Sequence, residues 1–116
     1  YTRLWEERPK TAEELAQESD TDDYVPNVVS SKAYGMDAID KILAANGAEK
    51  TWDETTGQYY AEYEADGKTY KVWLEEEKSI ALKAELIKEY NLAGIAAWKL
   101  GFERQDIWDI ILKYVN

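Results

Sequence analysis

The sequence predicts an α+β chain in which a helix and an antiparallel meander lie between elements of βα type. Three features carry this reading. Alternating aromatic runs on either side of Asp66-Gly67 read as a β-hairpin. Apolar residues recur at helical spacing around Met36–Leu43, Ile80–Ile87 and Ile107–Tyr114. A continuous apolar run, Leu92 to Trp98, follows the second of these helices, as a strand buried on both faces of a parallel sheet does.

Residues 1–5, Tyr-Thr-Arg-Leu-Trp, are β-prone and open without a cap or turn, so they read as the end of a strand. Residues 6–23 are rich in Asp and Glu, with Arg8 and Lys10 opposing them. A helical turn is expected at Thr11–Gln17, with Thr11 as N-cap and Glu14 at N3 of a capping box. Asp20–Asp23 reads as a solvated turn. It lacks the glycine and the distal Glu that a calcium loop needs. Val25–Ser31 has extended character, and Pro26 limits it to an edge or a loop.

Gly35–Ala45 is the next expected helix. It has Met36, Ile39, Ile42 and Leu43 on one face, and Asn46-Gly47 as its stop. The meander then runs Glu49–Glu54, Gln58–Glu64 and Lys68–Leu74. Tyr59, Ala61 and Tyr63 share one face of the middle strand; Tyr60, Glu62 and Glu64 share the other. A helix from Glu75 to about Tyr90 opens on carboxylates, which its dipole favours there. Its Ile80, Ala84 and Ile87 stripe, widened by Leu82 and Leu86, predicts burial against a sheet. A last helix spans Gln105–Val115, with Ile107, Trp108, Ile111 and Tyr114 inward. One tension remains. A lone strand of the buried parallel type needs parallel neighbours, and only Tyr1–Trp5 is on offer.

Composition removes whole classes of chemistry. There is no Cys and no His, which excludes disulfides, thiolate or imidazole metal sites and a Ser-His-Asp triad. With 14 Lys+Arg against 24 Asp+Glu, the net charge is −10. That balance argues against nucleic acid and against an anionic membrane surface, since phosphate binding needs a basic face. No apolar run approaches the roughly 18 residues of a membrane-spanning helix. No secretory signal pattern is visible. No cofactor is called for. Nine Tyr and five Trp stand against one Phe. Such rings combine an apolar face with a polar tip, which serves either an aromatic core or a partly wet ligand groove.

Three stretches together resemble family 18 glycoside hydrolases, the chitinase-like barrels. Tyr1-Thr2-Arg3 is similar to the segment closing strand seven of those barrels, with Thr2 where the family usually has Gly. Trp52-Asp53-Glu54, Tyr59-Tyr60 and Leu74–Ile80 follow the order of the family's α+β insertion domain and its exit into a helix. Gly94-Ile95-Ala96-Ala97-Trp98 fits the family's strand eight, and Lys99–Glu103 resembles the spore-cortex and cell-wall branch. The resemblance implies a chitinase-type insertion domain with the last βα units of a truncated TIM barrel. Residues 1–5 would end strand seven, 6–74 would be the insertion domain, and 75–116 would hold helix seven, strand eight and helix eight.

The family's substrate supplies its own acetamido nucleophile, but a general-acid Glu is still required. The family carries it in an Asp-x-x-Asp-x-Asp-x-Glu segment. Asp20-Thr21-Asp22-Asp23 has no Glu in the right place, and Asp37-Ala38-Ile39-Asp40 continues Lys41-Ile42. No catalytic residue is therefore assigned, and the chain alone is expected not to hydrolyse glycans. By resemblance Trp98 floors a sugar subsite, and Tyr1 and Arg3 lie near the substrate. An indole suits this role because its flat face covers a sugar's C–H face. Trp52, Tyr60, Trp73 and Glu103 are further groove candidates, against a reading in which the rings pack within the meander and Glu103 is a solvated acid. Glu75–Glu77 read as a helix-start charge cluster, not a catalytic pair. No metal site is expected.

The expected partner is a polysaccharide containing N-acetylglucosamine, chitin or peptidoglycan, at an extracellular, cell-wall or spore-envelope location. All of this follows from the resemblance. The competing readings are a stand-alone glycan- or protein-binding module and a purely structural insertion. A cut barrel exposes strand edges, so self-association is expected.

Overall fold

The computed structural model describes residues 1–17 and 27–115. The expected turn at Asp20–Asp23 and the effect of Pro26 lie outside the described residues. Element order is β1 (Thr2–Pro9), α1 (Ala12–Ala16), β2 (Asn27–Tyr34), α2 (Met36–Ala45), β3 (Thr51–Asp53), β4 (Gln58–Ala65), β5 (Lys68–Leu74), α3 (Glu77–Glu89) and α4 (Asp106–Val115). The strands form one sheet in the order β2-β1-β5-β4-β3, and every pair is antiparallel.

The local chemistry explains most of the boundaries. Asp66 and Gly67 both have positive φ, 53° and 72°. A two-residue hairpin turn of this kind requires that, and it joins β4 to β5. At the β3–β4 turn the Asp53 carboxylate accepts from the Thr55 N–H at 3.0 Å and the Thr56 hydroxyl at 2.9 Å. The capping box at α1 is present: Thr11 Oγ1 accepts from the Glu14 N–H, and Glu14 accepts from the Thr11 N–H. α2 ends where the Asn46 side chain donates to the Ile42 carbonyl at 2.8 Å and Gly47 turns to φ 63°. α3 begins after Glu76, whose N–H donates to Ser79 Oγ at 2.8 Å.

Alternation divides the sheet into two faces. Leu4, Ala61, Val72 and Leu74 are buried on the inward face against Ile39 and Leu43 of α2. Tyr34, Tyr59, Tyr63 and Tyr70 complete this layer, with the Tyr63 and Tyr70 rings stacked 4.8 Å apart. A second cluster joins Met36 at the start of α2 to Ile107 and Ile111 of α4, with Ile80 of α3 beside them. Between the clusters runs a link from residues 99–105. The Met36 N–H donates to the Phe102 carbonyl at 2.7 Å, and a side chain at Gly35 would meet that backbone at 3.1–3.2 Å.

The structure corrects two expectations. Leu92–Trp98 is not a buried strand: it forms no strand, and Leu92, Ile95 and Trp98 are 50%, 47% and 76% exposed. The expected parallel neighbour, Tyr1–Trp5, is instead spent in antiparallel pairing with β2 and β5. β1 also runs unbroken through residue 5, where the sequence suggested a boundary. The second correction concerns α3. It buries Ala84 and Ile87, but Leu82 and Leu86 are exposed. α3 packs chiefly on α4, and that contact covers a narrower stripe than a sheet would. α4 likewise buries Ile107 and Ile111 and leaves Trp108 exposed.

Candidate functional site

A cavity of about 390 Å³ opens where β1 begins and β5 ends. Tyr1 lines it from the strand side, Glu75 from just before α3, Lys83 from the middle of α3, and Trp98, Glu103 and Trp108 from the C-terminal segment. Its floor is apolar, made by the Met36, Ile107 and Ile111 cluster. Tyr1 packs edge-on against Phe102, with ring centroids 6.0 Å apart. The Trp98 ring stands 76% exposed at this opening, and the Trp98–Lys99 peptide is cis.

Both carboxylates of the cavity act as acceptors. Glu75 takes hydrogen bonds from Gln58 Nε2 at 2.7 Å, Ser79 Oγ at 2.8 Å and the Lys83 ammonium. Glu103 takes the Gly101 N–H at 2.7 Å and the Trp108 indole N–H at 3.4 Å. Its own backbone N–H, then the Gly101 N–H and the Trp108 indole, hold its pKa below the ordinary value against partial desolvation. A general acid needs the opposite shift. Glu103 is thus a fixed hydrogen-bond acceptor at the rim.

The C-terminal segment is anchored by one cationic side chain. Arg104 reaches Asp40 at 2.8 Å, Glu76 at 3.0 Å and Asp106 at 3.3 Å. Glu76 first, and then Asp40 and Asp106, raise its already high pKa. Lys50 joins the same cluster through Asp40 and Glu76. This ties α2, the start of α3 and the turn before α4, and so sets where Trp98 and Glu103 stand relative to the sheet.

Strand register shows what adjoins the cavity. Odd-numbered residues of β1 share the outward face with Lys71 and Trp73 of β5 and with Gln58, Tyr60 and Glu62 of β4. Tyr1 and Glu75 continue this alternation into the cavity. The next row outward holds Arg3, Trp73 and Tyr60; the one beyond holds Trp5, Lys71 and Glu62. Tyr60 and Trp73 have ring centroids 4.9 Å apart. Burial, and then the hydrogen bond to Glu62 at 2.5 Å, push the Tyr60 hydroxyl up to about 12.

The structure therefore gathers Tyr1, Trp98 and Glu103 around one cavity, and it sets Arg3, Tyr60 and Trp73 on the face that runs from it. Trp52 is elsewhere. It pairs with Tyr59 on the inward side, edge-on at 5.2 Å, with Lys78 Nζ 3.9 Å above its ring. Sequence reasoning missed Trp5 and Trp108. Trp5 was findable, because it follows Tyr1 and Arg3 at the strand period of two. Among the described residues, no three metal-ligating side chains cluster, and no helix is long and apolar enough to cross a membrane.

Comparison with known proteins shows the family of this chain. The chain is 36% identical over 76 residues to the cortical fragment-lytic enzyme of Bacillus subtilis (strain 168), covering 65% of this chain and 18% of that protein. The chitinase from Chromobacterium violaceum ATCC 12472 superposes with a TM-score of 0.66 at 28% identity, over 78% of this chain and 28% of that one. A glycoside hydrolase family 18 N-acetylglucosaminidase from Paenibacillus barengoltzii does so with a TM-score of 0.58 at 27% identity, over 97% of this chain and 31% of its own. The chain spans less than a third of the length of each of these proteins. The model of the glycosyl hydrolases family 18 matches residues 1–103, nearly the whole of this chain, and the chain belongs to that family.

Proposed function

We propose that this chain forms one wall and part of the floor of a glycan groove in a glycosidase acting on N-acetylglucosamine-containing polymers, chitin or peptidoglycan. The observation that carries the proposal is Trp98, whose ring stands free at an apolar cavity shared with Tyr1. A flat aromatic face beside fixed acceptors suits a sugar, which presents C–H on one side and hydroxyl donors at its rim. Trp98 and Tyr1 stack or border the sugar at the cavity. Arg3, Trp73 and Tyr60 extend the track along the sheet, and Glu103 accepts from hydroxyls. The relatives act on cortical fragments, chitin or N-acetylglucosaminides by their names, which supports action at a cell wall or spore envelope.

The chain by itself is proposed to be inactive. Its two carboxylates at the cavity are tied up as acceptors. Asp37–Asp40, the nearest approach to the family's acidic motif, opens helix α2 and does not close a strand. In the whole protein, we propose, residues 1–5 lead in from the barrel, 6–74 form the insertion, and 75–116 return to it.

The test is an indole NMR titration of this chain with a tetramer of N-acetylglucosamine. The Trp98 signal should move, and Trp98→Ala should weaken binding about tenfold, the loss of one stacking platform. A stationary Trp98 signal at millimolar tetramer would sink the groove reading. Movement confined to Trp5 and Trp73 would instead favour a stand-alone binding module, which the outward aromatic face also permits.

A further inference from the structure

We infer that the outer edge of β2 joins a second copy of this chain, antiparallel, with Ser30 opposite Ser30 across a twofold axis. Among the described residues β2 pairs with β1 alone, which leaves a row of backbone donors and acceptors along its other side. Sheet edges are ordinarily blunted by shortness, charge, proline or a bulge. The opposite edge of this sheet has two of these devices. β3 is three residues long, and the length of β4 that it leaves open carries Glu62 and Glu64. β2 has little such protection. It runs eight residues in unbroken register, from Asn27 opposite Pro9 to Tyr34 opposite Thr2, with no bulge and no proline. Its one charge is Lys32, whose Nζ stands 5.3 Å from the centroid of the Tyr34 ring on the same strand. Val29, near its middle, is 56% exposed.

Charge names the occupant. The chain carries a net −10, yet no Asp or Glu occurs from Tyr24 to Met36. Copies of so acidic a chain repel one another over most of their surface, and at the β2 edge they do not. A row of valine and serine has no charge pattern to select a different partner, but it is complementary to itself. A twofold axis normal to the sheet pairs β2 with β2 antiparallel, merges two five-stranded sheets into one and closes after two copies. Such an axis sets one residue opposite itself. With Ser30 there, Asn27–Ala33 all pair, and the two Lys32 residues lie about 14 Å apart along the strands. An axis at Ser31 would bring them to about 7 Å, and one at Lys32 would oppose them directly. Ser30 is exposed, and its hydroxyl can bond its counterpart. The junction stands independently of the groove reading. Together with that reading, the axis turns both outward faces to one side, so two aromatic tracks meet the same polymer surface and gain avidity.

One strand junction buries less than the roughly 1,200 Å² of a standard interface, so the dimer is weak and is read at millimolar chain. The chain has no Cys, so single cysteines report the junction cleanly. Opposed residues have Cα atoms about 4.5–5.5 Å apart, within the span of a disulfide. Under mild diamide oxidation, Ser30→Cys should form a covalent dimer about tenfold faster than Glu85→Cys, an exposed position on α3. Val29→Cys and Ser31→Cys should each match that control when alone, because each lies about 8 Å from its own copy. Mixed together they should crosslink, since each faces the other. In the unaltered chain, exchange of alternate β2 amides should slow several-fold as concentration rises. Dimer formation by Ser30→Cys at the Glu85→Cys rate, or by all three β2 cysteines alike, would overturn the inference. Self-crosslinking of Ser31→Cys in place of Ser30→Cys would refute the register and the charge argument behind it. Amides protected equally at every dilution would mean that the edge is covered within a single chain, and the inference would fall without any variant.

Discussion

Glu14 shows how much one side chain can be asked to do, and how plainly that can be written in a sequence. Thr11 and Glu14 stand at capping-box spacing, and both bonds of the box form. The same carboxylate also takes Arg8 in a two-point contact at 2.7 and 2.9 Å. The Arg8 bonds first, and then the Thr11 N–H, pull its pKa down to about 2. Because the folded value lies below the ordinary 4.5, this contribution is present above pH 4.5 and is lost as pH falls toward 2. A carboxyl-carbon NMR titration should give Glu14 a midpoint near 2, and Arg8→Gln should return it toward the ordinary value. A midpoint above 4 in the unaltered chain would mean that the pair does not form in solution. The Arg8 contact was not legible beforehand. Residues 6–23 read only as rich in Asp and Glu because strand pairing, which aims Arg8, is invisible to local composition. Trp52 was opaque for a related reason. Its place opposite Tyr59 depends on a register set across a turn, and that register turns it away from the cavity.

At the scale of elements, the meander was legible because turn chemistry is local. Asp66-Gly67 needs positive φ at both positions, and few residue pairs supply it. The helices were legible as stripes, but how much of a stripe is buried depends on what lies opposite. Leu92–Trp98 was misread because an apolar run names no partner, and a strand without a hydrogen-bonded neighbour is not a strand. Gly57 separates two effects at one turn. Its φ is 64°, and an added Cβ would come within 2.8 Å of Leu82 Cδ2. Gly67 has φ 72° with open space around it. Gly67→Ala should therefore cost about 1 kcal/mol from backbone strain alone. Gly57→Ala should cost slightly more, since the half-exposed Leu82 side chain must also turn aside. Denaturant melts would check the order. Adding Leu82→Ala should recover part of the Gly57→Ala loss, and no recovery would mean that Leu82 is not what the new methyl meets.

The whole molecule is more extended than its length requires. Its radius of gyration is 18.2 Å, against about 13 Å for a compact chain of this size. Its accessible surface is 8151 Å², where a monomer of 13.4 kDa has about 6,500 Å². Part of the excess is apolar: Leu92, Ile95, Trp98 and Leu100 are all exposed along one segment. The isolated chain should accordingly self-associate with concentration in sedimentation velocity, and Ile95→Asp with Leu100→Asp should weaken that association. A chain that stays monomeric at hundreds of micromolar would mean that this surface is tolerated in water. β1 belongs to both halves of the molecule's business. Its even residues build the inward layer, while Tyr1, Arg3 and Trp5 face the cavity and the track beyond it. Losing one residue from this strand would exchange the two sets, sending Leu4 into water and an arginine among the tyrosines. Genetic change by single-residue slippage is therefore closed to β1, whereas substitution at its odd positions is open. Any retuning of the proposed groove must come as point changes, without a shift of frame along the strand.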